Sequence, residues 1–208
     1  MVTAAPCGLS DTGAAGPVHL DHAVEVGEQQ HPAYGGRAAA QRQVVPLPHR
    51  LPGRHGQDLI GAGHGHAVMF CLGRLLRAVQ AIPPTFYDEF EGTGVLVHGD
   101  FGPNNVLLAD DADEIVLLAD WEWSTIGAPV TDLAWTEFIL RMHHPDHLDC
   151  LPDLFDGYGQ RPPWSVRQAA MAHRAASLEA WIRTSKGAEA ASRWDYRSQC
   201  IAQWDEVA

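Results

Sequence analysis

The sequence predicts an α+β protein that is mostly helical and carries a small β-hairpin region. Between residues 95 and 119, three short apolar runs are separated by polar and turn-forming residues, which is the pattern of short strands. Elsewhere in residues 67–208, apolar residues recur at helical spacing over longer stretches. Residues 1–66 follow neither pattern for more than a few positions. We therefore divide the chain at residue 66.

Residues 1–66 differ in composition from the rest of the chain. Gly, Ala, Pro and His occupy 34 of these 66 positions, and Tyr34 is the only aromatic residue among them. Such a segment has little apolar surface to offset the entropy lost on ordering. We expect a low-complexity segment that is disordered or poorly packed. Its seven histidines, including His64 and His66, have no cysteine partners or scaffold that would indicate a metal site.

The part that is predicted to fold begins with an amphipathic helix. From Val68 to Val79, apolar residues fall at i, i+4, i+7, i+8 and i+11, and Pro83 ends the pattern. Three strands follow, and an aspartate-rich turn between the second and third predicts a hairpin. The predicted strands are Val95–Val97, Val106–Leu108 and Ile115–Ala119.

Further helices are predicted toward the C-terminus. Thr131 is placed to cap a helix that has Asp132 in its first turn. This helix would run to about Met142, where a histidine-rich loop containing Pro145 breaks it. Ser165 is placed to cap the next helix. The last two helices are predicted at Val166–Thr184 and Ala188–Gln203.

The composition restricts the classes of protein to consider. The chain has 26 acidic and 14 basic side chains and a formal charge of −12, which argues against a nucleic-acid partner because phosphate backbones require clustered Lys and Arg. Its four cysteines share no close spacing, so neither a disulfide framework nor a zinc knuckle is indicated. No signal-peptide pattern opens the chain, and no apolar run approaches the length of a membrane helix. We expect a cytoplasmic protein without a membrane partner.

The most informative stretch joins the predicted strands to polar residues. Asp100 follows the first strand, Asn105 stands just before the second, and Asp120 directly follows the third. Two carboxylates and one amide are thus expected to meet, with hardly any positive charge among them. Oxygen ligands of this kind favour Mg²⁺ carried by phosphates. The spacing from Asp100 to Asn105 is also that of the kinase catalytic loop, in which the aspartate accepts a hydroxyl proton and the asparagine holds metal.

This loop has a specific resemblance to a known family. With Gly99 where protein kinases carry arginine, residues His98 to Asn105 resemble the catalytic loop of the aminoglycoside phosphotransferase and choline kinase family. The segment Gly127–Ala134 resembles the family's Gly-Asp-Pro-x-x-Asp-Leu-Ala segment. The resemblance covers roughly residues 67–208, and it implies the C-terminal lobe of a protein-kinase-like fold.

The resemblance implies a role for each polar residue of this site. Asp100 would be the catalytic base. Asn105 and Asp120 would bind magnesium and, through it, the nucleotide. Asp132 would support the catalytic loop by hydrogen bonds, and His98 is expected to shape the loop through backbone contacts without titrating in the reaction.

The implied activity is that of a phosphotransferase. It would move the γ-phosphate of ATP or GTP to a hydroxyl of a small molecule, with Mg²⁺ as cofactor. The acidic composition is compatible with a cationic, aminoglycoside-like acceptor. Glu137, Asp153 and Asp156 are candidates to meet an aminated acceptor, although the sequence does not separate them from ordinary surface charge.

Two small departures from the family pattern remove no proposed metal ligand, but a missing lysine leaves an alternative open. Gly102 stands where many members carry histidine, and Ala128 replaces the usual aspartate. No lysine precedes Lys186, whereas the family's N-terminal lobe grips the nucleotide phosphates with a strand lysine. That lobe is not recognisable in this chain. The alternative is therefore a non-catalytic remnant, truncated or frame-shifted, that lacks the nucleotide-binding lobe.

A third hypothesis is a metal-dependent hydrolase that uses His98, Asp100 and Asp120. It is the weakest of the three because it leaves Asn105 and the segment around Asp132 without a role. Between the first two, nucleotide binding in the presence of Mg²⁺ decides, since a remnant would bind ATP very weakly or not at all.

Overall fold

Helices dominate the fold and the strands are short, as the α+β prediction requires. The structure is a computed structural model that describes residues 53–83 and 94–207. The helices are α1 (Gly56–Leu59), α2 (Gly65–Gln80), α3 (Val130–His143), α4 (Leu151–Tyr158), α5 (Trp164–Lys186) and α6 (Ala188–Gln203). The strands are β1 (Arg54–His55), β2 (Val95–Val97), β3 (Val106–Leu108), β4 (Ile115–Leu118) and β5 (Thr125–Gly127). A π-helical turn joins α1 to α2 at Ile60–His64, and short 3₁₀ helices lie at Trp121–Trp123 and Pro145–Cys150.

The hairpin predicted around the aspartate-rich turn is present. β3 and β4 pair antiparallel with Val106 opposite Leu118, and β1 joins the other side of β3. β2 does not enter this sheet but pairs with β5, so that Val95 lies opposite Gly127. The sequence does not predict β1 and β5, because two or three residues carry too little pattern to be told from a loop. Asp100 and Asp120 therefore follow strands of different sheets.

The packed core begins before the predicted boundary at residue 66. Leu59 and Ile60 are fully buried in a cluster with residues of α2, β3 and α4. A Cβ on Gly56 would lie 2.9 Å from the carbonyl oxygen of Pro103, so this segment packs closely on the loop before β3. The composition does not indicate this contact, because glycine allows two backbones to approach closely but adds no apolar side chain to the core. The rest of the predicted poorly packed segment, residues 1–52, lies outside the described residues.

α2 and α4 cross at close range because each contributes a glycine to the contact. A Cβ on Gly73 would lie 2.6 Å from the Tyr158 amide nitrogen, and one on Gly157 would lie 3.0 Å from the carbonyl carbon of Phe70. The sequence does not predict α4, because Pro152 and Gly157 weaken the helical pattern within only eight residues. Proline is tolerated there because it stands in the first turn.

The stretch from α1 to the end of α2 corrects one expectation about membranes. Gly56–Gln80 is a helical stretch of 25 residues, and an 18-residue window within it has a mean hydropathy of 1.2. By length and composition it therefore reaches the range of a membrane span. Half of that window is buried inside the protein. A core helix of a globular protein meets the same criteria. α2 is such a helix, because one of its sides packs on α4.

α3, α5 and α6 enclose a second core that is rich in aromatic rings. Trp135 and Phe138 of α3 stack with ring centroids 4.4 Å apart, and Trp194 of α6 lies nearly parallel to both. α3 and α5 each begin directly after a proline and have no side-chain cap, so the predicted caps at Thr131 and Ser165 are wrong. The N-cap residues are Pro129 and Pro163, whose side chains have no hydrogen-bond acceptor for the first amides of the helix.

Two of the acidic residues considered for an aminated acceptor have structural partners instead. Glu137 is completely buried, accepts a hydrogen bond from Arg141 Nη2 at 2.8 Å and pairs with Arg167 through its other oxygen. A buried carboxylate requires such partners, so Glu137 belongs to the core and not to a substrate site. Asp153 Oδ2 lies 2.7 Å from His66 Nδ1, in an exposed contact between α4 and α2.

Candidate active site

β2 leads into a tight loop that presents Asp100. Gly99 has a φ of +84°, and a Cβ at this position would lie 2.7 Å from Trp123 Cβ and overlap the Trp123 carbonyl oxygen. Glycine is the residue that accommodates both the backbone conformation and the close contact. The 3₁₀ turn that contains Trp123 therefore packs directly against the loop.

Asp132 holds this loop from the first turn of α3. Its Oδ2 accepts a hydrogen bond from the His98 amide at 2.7 Å, and its Oδ1 accepts one from the Gly99 amide at 2.9 Å. Asp132 is fully buried, and this burial raises its pKa, while the two backbone donors act to lower it. The contact is the one that the resemblance implies for a loop-supporting residue.

His98 links the loop to the end of β4. Its Nδ1 accepts a hydrogen bond from the Asp100 amide at 3.3 Å, so the proton lies on Nε2, which donates to the Ala119 carbonyl oxygen at 2.8 Å. The ring is completely buried and lies with its centroid 4.6 Å from that of Trp121. Both ring nitrogens of His98 thus form hydrogen bonds to backbone groups of the loop and of the segment after β4.

The Asp100 carboxylate has a hydrogen-bond donor on each oxygen. Asn105 Nδ2 donates to Asp100 Oδ2 at 2.9 Å and to the Asp100 carbonyl oxygen at 2.7 Å. Trp135 Nε1 donates to Oδ1 at 2.8 Å. The sequence reasoning missed Trp135. A signal was available, because Trp135 stands three residues after Asp132 and shares its face of α3.

The loops of Asn105 and Asp120 are joined through their backbones. The Ala119 amide donates to the Asn105 carbonyl oxygen at 2.9 Å, directly before Asp120. Asp120 has φ +66° and ψ +58°, is exposed, and its carboxylate has no hydrogen bond or ion pair with any residue in the part of the chain that the structure describes. Non-glycine residues in this left-handed conformation are uncommon and concentrate at functional sites.

The donor set at these loops fits a magnesium ion that is carried by phosphates. Asn105 Nδ2 faces the Asp100 carboxylate, and Asn105 Oδ1 accepts no hydrogen bond from a residue that the structure describes. Mg²⁺ is usually held by one or two carboxylates together with substrate phosphates, and an Asn oxygen with an unpaired carboxylate suits this mode. Within residues 53–83 and 94–207, no three His, Cys, Asp or Glu side chains form a complete protein cage for a metal.

One departure from the family pattern has a steric explanation. A Cβ on Gly102 would overlap Ile139 Cδ1 and lie 2.8 Å from Asn104 Oδ1. A histidine therefore has no room at this position unless α3 or its Ile139 side chain moves. Asn104 Oδ1 itself is buried and has no hydrogen-bond partner among the described residues.

Asp100 opens onto a cleft of about 370 Å³. This volume is in the range of small-molecule sites. Its walls come from α3, α5 and α6 and are largely aromatic, and two arginines extend into the lining. Of the described residues around the cleft, Asp100 is the only acidic one, so Asp153 and Asp156 do not contribute to it. The aromatic lining residues are Trp123, Trp135, Phe138 and Trp194.

Arg174 of α5 is a basic residue of the cleft lining that lies within electrostatic range of Asp100. Its guanidinium lies 5.1 Å from the Trp123 ring centroid and 5.8 Å from that of Trp135. Burial lowers the pKa of Arg174, and the charges of Asp100 and Asp132 act to raise it. The sequence does not reveal this residue, because it lies within the apolar stripe of α5.

Comparisons with known proteins agree with the residue pattern. A family model described as the phosphotransferase enzyme family matches residues 17–172. No curated protein matches the chain. A solved choline/ethanolamine kinase family protein from Mesorhizobium loti is 17% identical with a TM-score of 0.40, covering 78% of this chain and 49% of that one. A protein from Ralstonia eutropha described as an aminoglycoside phosphotransferase is 19% identical with a TM-score of 0.39, covering 73% and 54%. The chain thus spans about half the length of these solved structures.

Proposed function

The chain belongs to the phosphotransferase enzyme family, whose model matches more than half of it, and from this premise we propose that it transfers the γ-phosphate of ATP or GTP to a hydroxyl of a small molecule. The described residues would then act as the C-terminal lobe of a protein-kinase-like fold. The proposal gives Asp100 the role of base, Asn105 and Asp120 the role of magnesium ligands, and His98 and Asp132 the role of loop support.

One observation carries the proposal. The Asp100 carboxylate lies at the mouth of a cleft, and it receives one hydrogen bond on each oxygen, from Asn105 and from Trp135. Each carboxylate oxygen has two acceptor positions, so each keeps one for a substrate hydroxyl. A carboxylate that is oriented by donors and open to a cleft is what a hydroxyl nucleophile requires.

In phosphoryl transfer the protein has to position the reacting groups, and it forms no covalent bond to them. Phosphoryl transfer passes through a loose transition state, so the protein mainly aligns the attacking oxygen and stabilises charge. Asp100 would orient the acceptor hydroxyl and take its proton as the new oxygen–phosphorus bond forms. Magnesium held at Asn105 and Asp120 would supply charge neutralisation on the phosphate oxygens.

The second candidate is a family member that does not catalyse transfer. The observation that favours it is the absence of any lysine before Lys186, since the family's nucleotide-gripping lysine precedes the catalytic loop. Measuring ATP and GTP affinity with and without Mg²⁺ separates the two candidates. Micromolar, magnesium-dependent binding supports the phosphotransferase, and affinity that is absent or no better than millimolar supports the inactive member.

The catalytic roles are tested by isosteric substitutions of the two aspartates. Transfer of a radiolabelled γ-phosphate to a panel of hydroxyl compounds is measured for the wild type and for Asp100→Asn and Asp120→Asn. We expect kcat to fall by at least about a hundredfold in Asp100→Asn, because a positioned base is lost. Asp120→Asn should shift activity to higher Mg²⁺ concentrations.

The matched control is Asp110→Asn, which makes the same change at an exposed position of the β3–β4 turn. This variant should retain wild-type kcat and magnesium dependence. Phosphate transfer that persists undiminished in both Asp100→Asn and Asp120→Asn would overturn the assignment of the site.

A further inference from the structure

The cleft beside Asp100 carries more positive than negative charge. Arg174 and Arg197 both line it, whereas Asp100 is the only carboxylate among the described lining residues. The chain as a whole has a formal charge of −12, so the local excess is opposite in sign to the overall charge. The histidines of the lining, His143 and His144, add no positive charge near neutral pH, because burial lowers the pKa of both.

The two arginines have hydrogen-bonding capacity that the protein does not use. Arg174 Nε is buried without a hydrogen-bond partner in the part of the chain that the structure describes. Arg197 stacks on Trp194 at 4.3 Å from the ring centroid, and it forms no ion pair with a carboxylate among residues 53–83 and 94–207. Guanidinium groups bind carboxylates through paired hydrogen bonds, so both are suited to an acidic ligand.

Arginine side chains of the protein already lie over three of the aromatic rings that line the cleft. Arg174 lies over Trp123 and Trp135, and Arg197 lies over Trp194. Ammonium groups bind over the faces of tryptophan and tyrosine rings, so a cationic acceptor would compete with these guanidinium groups and be repelled by them.

We propose that the acceptor is a small hydroxyl compound that carries an acidic group such as a carboxylate. Arg197 and Arg174 bind the acidic group, and Asp100 faces the hydroxyl. In the transfer, the acceptor oxygen bonds to the γ-phosphorus, the bond from that phosphorus to the β-phosphate oxygen breaks, and the hydroxyl proton passes to Asp100. The inference rests on the function proposed above, and it differs from the cationic acceptor that the acidic composition suggests.

Three probes of similar size and different charge test the inference. They are the para-hydroxymethyl derivatives of benzoate, benzamide and benzylamine, which carry a negative, a neutral and a positive group opposite the same hydroxymethyl group. Ligand-observed NMR titrations of the full chain, without nucleotide or magnesium, give the Kd of each. We expect the benzoate to bind at least about tenfold more tightly than the benzylamine, as for the gain of a charged hydrogen bond.

Arg197→Gln identifies the group responsible, and Arg193→Gln is the matched control. Both substitutions remove one positive charge from α6, but Arg193 is exposed and does not line the cleft. Arg197→Gln should remove most of the difference between benzoate and benzylamine, and Arg193→Gln should retain it. A benzylamine that binds as tightly as the benzoate, no measurable binding of any probe, or an unchanged preference in Arg197→Gln would each overturn the inference.

A transfer assay with the same probes separates this inference from the proposed function. Phosphate transfer to the benzylamine, without a preference for the benzoate, overturns the acidic acceptor and leaves the phosphotransferase intact. Preferential binding of the benzoate, together with absence of nucleotide binding, supports the charge selection of the cleft and overturns the proposed activity.

Discussion

Asp100 is held by residues from two parts of the chain, the loop before β3 and helix α3. Asn105 and Trp135 bind its two oxygens, and Asp132 fixes the backbone of the loop from which it projects. Small displacements of a reacting group are costly in catalysis, so these contacts matter even where they do not touch the substrate. The proposed function of the site therefore depends on how the Asp100 carboxylate is oriented.

Trp135→Phe tests whether the hydrogen bond from Trp135 to Asp100 contributes to this orientation. The substitution removes the Nε1 donor to Asp100 Oδ1 and keeps most of the ring that stacks on Phe138. Loss of a hydrogen bond to a charged group costs about 1.5–3 kcal/mol, so kcat should fall about tenfold to a hundredfold. Steady-state kinetics and thermal unfolding are measured together. An unchanged kcat in a stably folded Trp135→Phe protein would contradict the positioning role.

Among the helices, the α2–α4 contact shows how glycine sets the distance between elements. Gly73 and Gly157 each face the backbone of the other helix, and neither leaves space for a Cβ. Backbone atoms cannot turn away as a flexible side chain can, so a substitution has to separate the helices. α2 also contributes Leu72 and Leu76 to the main core, and the separation would loosen that packing.

Gly73→Ala should therefore destabilise the protein. Overpacking of this kind costs about 1–3 kcal/mol of the free energy of unfolding, and contact with backbone favours the upper part of that range. Gly61→Ala is the control, because the space around Gly61 is open within 4 Å among the described residues. Urea unfolding of both variants decides the matter, and equal stability of Gly73→Ala and wild type would show that the helices can separate without cost.

Across the whole molecule, buried ionisable groups link stability to pH. Burial raises the pKa of Cys150 to about 12 from its ordinary value of 9.0, and burial, together with the charge of Asp132, raises that of Tyr158. The folded state thus keeps protons that the unfolded state releases between about pH 9 and 12. Stability from these groups is fully present below pH 9 and is lost as the pH rises through that range.

The expected loss for one such group is up to about 1.4 kcal/mol for each pH unit above 9. Urea unfolding at about pH 8 and about pH 10.5 measures the free energy of unfolding for the wild type and for Cys150→Ala. The free energy of unfolding should decline less steeply with pH in Cys150→Ala, because this variant lacks the thiol proton of Cys150. Parallel declines in the two proteins would exclude Cys150 as a source of the pH dependence.

The local parts of this structure could be predicted from contiguous stretches of sequence. The α+β class, the hairpin of β3 and β4, and the positions of α2 and α6 follow from apolar spacing, because a helix or a strand pair is built from neighbouring residues. The residues Asp100, Asn105 and Asp132 were identifiable for a similar reason, since the spacing of a motif is written along the chain. Their catalytic roles remain predictions.

The tertiary structure alone decided which distant residues meet. Trp135, Arg174 and Arg197 converge on the cleft of Asp100 from three helices, and no local pattern records how those helices pack. Glu137 is a candidate for an aminated acceptor in the sequence, where it cannot be told from surface charge, and the structure buries it between two arginines. Composition fixes the total charge of a chain, but burial and packing determine which charges face a cleft, and here that difference is the ground for proposing an acidic acceptor in place of a cationic one.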